Sequence, residues 1–212
     1  MILHHAHHSI LQLFLKVYYV NKIHHLDMLL DLVVFGRAAG MHIEQVMRQG
    51  VSYREASESD IEASMARLNR WNESAEGESI YDLKKELQTT MQNSFGVFRT
   101  EKNMLEGMDK LVELRERIGQ AGMPDKSAAF NTARLEALEL DNLLEVAEAT
   151  AVTAEGRRES RGAHARDDYQ TRDDENWLCH SMYFPEDKRV GKRDVNFAPT
   201  TMEAFEPKER VY

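Results

Sequence analysis

Ser79-Ile80-Tyr81-Asp82-Leu83-Lys84-Lys85-Glu86-Leu87-Gln88-Thr89-Thr90-Met91-Gln92-Asn93-Ser94-Phe95-Gly96-Val97-Phe98 decides how the chain is to be read. Ile80, Leu83, Leu87, Met91, Phe95 and Phe98 recur at spacings of three and four, the period at which a helix brings side chains onto one face. The pattern continues outward on both sides. Upstream, Ile61, Met65, Leu68 and Trp71 predict a helix, with Ser59 and Glu62 as its capping box. Before it, Leu30, Val33, Val34, Ala38, Met41 and Val46 mark a helix from about Leu29 to Gln49, which Gly50 is placed to end. Downstream, Met104, Leu105, Met108, Leu111, Val112, Arg115 and Ile118 form a fourth helix before the breaker run Gly119–Pro124. A fifth runs from about Ser127 through Leu138, Leu143, Val146 and Thr150. Short connections make neighbouring helices antiparallel, so helices three to five predict an up-down bundle. The fold expected is mainly α, an antiparallel bundle with a three-helix core, followed by a small β-hairpin and an extended C-terminal region.

The rest of the chain has another texture. Residues 1–25 hold six of the nine histidines, His4, His5, His7, His8, His24 and His25, around an apolar stretch from Phe14 to Val20. After residue 155, Glu155 to Glu175 packs five arginines among seven acidic residues. Leu178, His180, Met182 and Phe184 then alternate with Cys179, Ser181 and Tyr183, the period of a strand. Pro185 to Arg193 reads as a polar turn and Val195 to Phe197 as the returning strand. The tail, with Pro199 and Pro207, reads as extended. Four segments follow: a divergent 1–25, a helix in 26–50, a helical bundle in 51–155, and a loop-and-hairpin region in 156–212.

Composition narrows the function. A formal net charge of −9 over 212 residues argues against a duplex nucleic-acid binder. One cysteine, Cys179, excludes an internal disulfide. The longest apolar run, Ile10 to Val20, is broken by Gln12 and Lys16 and falls short of the roughly 20 residues of a spanning helix. No GxGxxG or GxxxxGK[ST] phosphate cradle occurs. Gly36 and Gly40 are a small-xxx-small pair within a helix, where glycine costs about 1 kcal/mol relative to alanine. They call for a close backbone or ligand, or tight helix packing. The histidine cluster matches no metal-binding spacing, and its nearest carboxylate is Asp27. Cys179 and His180, adjacent on a strand, point to opposite faces and make no acid–base pair. The run Arg157-Arg158-Glu159-Ser160-Arg161-Gly162-Ala163-His164-Ala165-Arg166 has two readings. Its arginines clamp a dicarboxylate, or they stitch the loop to the acids nearby, which the residues alone favour.

Several segments in order resemble one family, the flavoprotein subunits of succinate dehydrogenase and fumarate reductase. Leu29-Leu30-Asp31-Leu32-Val33-Val34-Phe35-Gly36-Arg37-Ala38-Ala39-Gly40 resembles the segment that closes the FAD-binding domain there. Asn69-Arg70-Trp71, Phe130-Asn131-Thr132-Ala133-Arg134 and Leu138-Glu139-Leu140-Asp141-Asn142-Leu143 resemble the helical domain. Glu159 to Arg166 resembles the signature near the C-terminus, and Asp173 to Ser181 is similar to bacterial members. The resemblance implies oxidation of succinate to fumarate with FAD, in the tricarboxylic acid cycle. Electrons would pass to an iron–sulfur subunit and quinone, with membrane-anchor subunits holding the complex on the cytoplasmic side of the bacterial inner membrane. The resemblance begins at Leu29. Upstream, the family pattern H-G-A-N-R-L-G-x-N-S-L-L-D is replaced by Val17 to Asp31, its substrate-holding arginine is lost, and Met28 stands for the FAD-contacting serine. Leu29 is thus the remnant of the family's cofactor-binding Ser-Leu pair, and no catalytic or metal residue is expected. The expectation is a C-terminal, truncated or frame-shifted portion that holds no FAD alone and is inactive in isolation. The alternative is a helical interaction module that docks through its charged 156–175 region.

Overall fold

The computed structural model describes residues 25–50, 55–73, 76–198 and 203–204, with side chains from residue 32 onward. The readings for the histidine cluster, for Phe14 to Val20, for Val17 to His24 and for Pro199 and Pro207 lie outside the described residues. The elements are α1 (His25–Arg48), α2 (Glu58–Glu73), α3 (Ile80–Phe95), β1 (Phe98–Arg99), α4 (Glu101–Gly119), α5 (Thr132–Gly156), β2 (Ala165–Arg166), α6 (Asp174–Trp177), β3 (Cys179–Phe184) and β4 (Arg189–Asp194). A helical bundle followed by a small hairpin is the observed architecture.

The described residues fall into two compact units. One takes its residues from Met1–Lys84 and Ile118–Asp141, the other from Lys85–Arg117 and Asn142–Tyr212.

In the first unit, α1 begins four residues before the expected Leu29 and ends where glycine allows it. Gly50 at φ 75° donates its N–H to the Met47 carbonyl at 3.1 Å, closing the last turn. Leu32, Val33, Val34 and Phe35 are 56%, 67%, 50% and 70% exposed. Consecutive helical residues step by about 100°, so these four present apolar surface all round the helix. Nothing approaches Gly36 or Gly40 within 4 Å, so neither of the reasons read for this pair is present among the described residues. In α2 the cap is Ser57, not Ser59. The Asp60 N–H reaches Ser57 Oγ at 3.2 Å, while the Ser59 hydroxyl is hydrogen-bonded to that of Ser57 at 2.9 Å. The apolar stripe of α2 is buried only at its end: Trp71 has no exposed surface, whereas Ile61 and Met65 are about half exposed. Trp71 Nε1 donates to Asp141 Oδ2 at 3.1 Å, and Arg70 Nη2 to Asp141 Oδ1 at 2.7 Å. Two backbones meet at Gly77 and Gly122, where an added Cβ would lie 2.5 Å from the Gln120 carbonyl or 2.4 Å from the Glu76 carbonyl carbon.

In the second unit, Leu87, Met91 and Phe95 of α3, Met104, Leu111 and Leu114 of α4, and Leu143, Leu144, Ala147 and Ala151 of α5 are all buried. Arg117 pairs with Glu86 at 2.9 Å near one end of the α3–α4 contact, and Gly107 meets Ser94 and Phe95 at the other, so the two helices run antiparallel. Arg115–Glu145 at 2.8 Å and Glu101–Arg158 at 3.4 Å fix the same relation between α4 and the chain through α5. Leu105 and Val112, read as core, face solvent. Phe98, placed on the α3 stripe by its spacing, leaves the helix after Phe95 and is 71% exposed in β1. α5 starts at Thr132 rather than Ser127, because Asn131 caps it: Asn131 Oδ1 accepts from the Arg134 N–H at 2.8 Å. The hairpin returns at Arg189, not Val195, since Pro185 to Lys188 suffices for the turn.

Candidate functional site

The densest concentration of charge lies in the second unit, between the end of α5 and the start of β3. Glu159 is fully buried. Its Oε1 accepts from Arg157 Nε at 2.8 Å and Arg161 Nε at 2.8 Å, and its Oε2 from Arg161 Nη2 at 3.0 Å and the Asp173 N–H at 2.9 Å. Burial alone would push this carboxyl up. The hydrogen bonds from Arg161, the Asp173 N–H and Arg157 outweigh it and hold Glu159 below the usual carboxylate range.

Arg166, 2% exposed, is the second hub. It grips Asp168 with two hydrogen bonds, Nε to Oδ1 at 2.7 Å and Nη2 to Oδ2 at 2.8 Å. Its Nη1 donates to the Glu155 carbonyl at 2.8 Å, one of the carbonyls that a helix end leaves without a partner. Asp168 Oδ2 in turn accepts from the Glu101 N–H at 2.7 Å at the first turn of α4. The Arg166 hydrogen bonds, against a small cost of burial, hold the Asp168 carboxyl far below its ordinary range.

His164 is the third. Arg99 Nη1 lies 2.7 Å from its Nδ1, and its Nε2 lies 3.0 Å from the Arg157 carbonyl. A guanidinium only donates, so Nδ1 accepts and the proton sits on Nε2, assigned from the network. Burial, and then the charges of Arg99, Arg166 and Arg157, push this histidine below its usual range. β1 pairs with β2 here in parallel, Phe98 with Ala165 and Arg99 with Arg166.

Three of the arginines read as a dicarboxylate clamp, Arg157, Arg161 and Arg166, are thus committed to partners inside the loop. The stitching reading describes them. Arg158 is exposed and faces Glu101 at 3.4 Å. Cys179 is half-buried opposite Asp194 and His180 exposed opposite Arg193, so they form no nucleophile pair. Among the described residues no cluster of three or more His, Cys, Asp or Glu is arranged to hold a metal. Leu29 lies in α1, beyond the reach of side-chain description. Sequence reasoning missed Arg99 and Asp168. Nothing local marks the long contacts, Arg99 to His164 and Asp168 to Glu101, which each span more than 60 positions, whereas the Arg166–Asp168 pair lies only two residues apart in the sequence.

Fold and loop together define a structural class: a helical bundle whose end is sealed by an arginine–carboxylate network. Comparison with known proteins gives the family. Residues 84–212 match the family model described as fumarate reductase flavoprotein C-term, and the chain belongs to that family. It is 49% identical over 182 residues to the succinate dehydrogenase flavoprotein subunit of Coxiella burnetii, covering 86% of this chain and 31% of the relative. It is 35% identical to the fumarate reductase flavoprotein subunit of Haemophilus influenzae, over 87% of this chain and 31% of the relative. Among solved structures, a quinol–fumarate reductase with menaquinol molecules aligns with a TM-score of 0.66 at 36% identity, over 81% of this chain and 30% of that one. The Mycobacterium smegmatis Sdh1 complex in the apo form aligns with a TM-score of 0.61 at 34% identity, over 78% of this chain and 28% of that one. The chain spans about a third of the length of the relatives it matches, and the matched portion is the C-terminal one.

The family implies a flavin. A pocket for such a cofactor encloses most of its surface and places a few polar groups against it. The described residues do not fit that demand. The arginines of the loop are used internally, and the glycines of α1 stand in open space. The depression of ≈ 700 Å³ beside Arg158, Arg172, Trp177 and Lys192 is wide open to solvent. No step is therefore derived through FAD.

Proposed function

We propose that this chain supplies the C-terminal, structural third of a succinate dehydrogenase flavoprotein. Its part in that enzyme is to present a rigid bundle, and it carries no reacting group. The observation behind this reading is the closure of the Arg157–Arg166 loop on itself, in a chain whose relatives are flavoprotein subunits. In the assembled enzyme, succinate is oxidised to fumarate with FAD held by the remaining two thirds. The electrons pass to an iron–sulfur subunit and on to quinone through membrane-anchor subunits. Leu29, at the start of α1, is the remnant of the FAD-contacting pair, and the 26–50 helix belongs with the flavin-binding part. Among the described residues no helix is long and apolar enough to cross a membrane. A peripheral place on the cytoplasmic side of the inner membrane, held by partners, is part of the same proposal.

Flavin retention and succinate-dependent dye reduction test the reading. The purified chain is expected to hold no flavin and to reduce no dye. With a separately supplied FAD-binding polypeptide of the family, dye reduction is expected to appear. A chain that retains stoichiometric flavin unaided, or that never supports turnover with its complement, would sink the proposal and favour a plain interaction module.

A further inference from the structure

Phe130 combines three properties that do not occur together by accident of packing. Its side chain is fully exposed, at 102% of the reference value. Its backbone sits at φ 54°, a left-handed conformation that a bulky side chain resists. It is also held there. The neighbouring Asn131, 8% exposed, donates from Nδ2 to the carbonyls of Asp125 at 2.9 Å and Ser127 at 3.1 Å. Asp125 Oδ1 closes the same loop by accepting the Ser127 N–H at 2.9 Å and hydroxyl at 2.7 Å. A loop free to relax would turn the ring away from water. This one is over-determined, so that a phenyl ring is displayed in a strained but fixed pose, the pattern of strain kept for a function.

We propose that Phe130 is a docking anchor, taken into an apolar pocket of the flavin-binding portion of the enzyme. The inference rests on the proposed function and deepens it by naming a contact. One phenyl side chain buries about 150–250 Å², whereas a specific interface needs about 1,200 Å² or more. Phe130 is thus one point of a wider contact. Another large apolar surface of the same compact unit, among the described residues, is α1, exposed on every side from Leu32 onward. A helix with apolar surface on every side is enclosed by a body of protein, not by one further helix. The relatives carry such a body in the two thirds of their length that this chain does not match.

The test places p-benzoylphenylalanine at position 130, and in a separate variant at position 35, in the cells that make the protein. Photo-adducts are then mapped by mass spectrometry. Position 130 is expected to join a peptide of the flavin-binding segment, whether that segment is a separate polypeptide or upstream in one chain. An adduct at 35 on that segment, with none at 130 or with 130 on a second copy or an iron–sulfur protein, overturns the anchor and leaves the proposed function standing. No adduct to that segment from either position overturns both. Phe130→Gly gives the second readout. Glycine takes φ 54° without strain, so the melting temperature of the chain should hold or rise, while recovery of the flavin-binding partner with it falls at least about tenfold. A lowered melting temperature would make Phe130 a packing residue and overturn the inference.

Discussion

Asp168 and Arg166 are joined by two parallel hydrogen bonds, at 2.7 and 2.8 Å, with the guanidinium buried and the carboxylate reaching on to the Glu101 N–H at 2.7 Å. One ion pair therefore closes the end of α5 and the beginning of α4 at once. Removing the carboxylate with Asp168→Ala leaves the buried Arg166 guanidinium without its charged partner, and because Asp168 itself is exposed a loss of about 1–3 kcal/mol is expected. Chemical denaturation at pH 7 is the measurement. A loss under about 1 kcal/mol would show that the pair is no more than an exposed surface bridge.

Asp168 also makes the fold acid-sensitive in a defined window. Its carboxyl is depressed in the folded chain, so the stability it provides is fully present above the unfolded value near 3.8. That stability is lost as pH falls below this toward the folded value. Asp168→Asn should flatten the stability–pH curve below about pH 4 and leave its shape at pH 6–8 unchanged.

His164 sets a second window, with the sign worked from its own shift. Its pKa is lowered by burial and by the surrounding arginines, so the folded chain binds fewer protons than the unfolded one below the unfolded value of 6.5. Stability is full above 6.5 and declines as pH falls toward the folded value. A proton on Nδ1 would face Arg99 directly and break that 2.7 Å contact. Thermal melts at pH 8.0 and 5.5 should differ, and His164→Asn should shrink the difference. An NMR titration that finds His164 protonating above 6.5 would refute the assignment.

Two glycines in helices should respond in opposite ways. At Gly107, a Cβ would lie 2.4 Å from Ser94 Cβ and 2.6 Å from the Phe95 ring. Gly107→Ala should therefore destabilise by about 1–3 kcal/mol through overpacking, despite alanine's better propensity. At Gly36 nothing lies within 4 Å, so Gly36→Ala should stabilise the isolated chain by about 0.5–1 kcal/mol. In the assembled enzyme the same change should weaken association, if α1 is enclosed there.

Trp71 is the fifth check, and it is optical as well as energetic. With no exposed surface and its N–H on Asp141 at 3.1 Å, it should emit at shorter wavelength than the part-exposed Trp177. Trp71→Phe keeps most of the apolar volume but leaves Asp141 with one partner fewer. A loss of about 1–3 kcal/mol is expected, read by denaturation followed at Trp177.

Much of the bundle was legible because helical period and caps are local. Ser79 precedes a stripe that is buried at Leu83, Leu87, Met91 and Phe95, and Gly50 ends α1 as the sequence indicates. The errors came where local signals compete. Ser57 and Ser59 are both plausible caps, and only the geometry shows which hydroxyl faces the Asp60 N–H. Phe98 keeps the α3 spacing past the point where Gly96 lets the chain turn away. The arginine loop was legible as charge and as internal stitching to nearby acids, but not in its long-range joints. Glu159 finds its partners within 14 residues, whereas Arg99 and His164 meet only after two helices have folded back between them. The resemblance named the family, while the residues alone gave only a bundle with a charged loop.

The Asp168–Glu101 bond has a consequence for how the protein is made. The first turn of α4 takes this cap from a residue 67 positions later in the chain. At roughly 5–20 residues per second of synthesis, α4 waits about 3–13 s for it. A chain stalled in that interval already has Thr100 Oγ1 capping the Asn103 N–H at 3.3 Å and leaves the Glu101 N–H to solvent until Asp168 arrives.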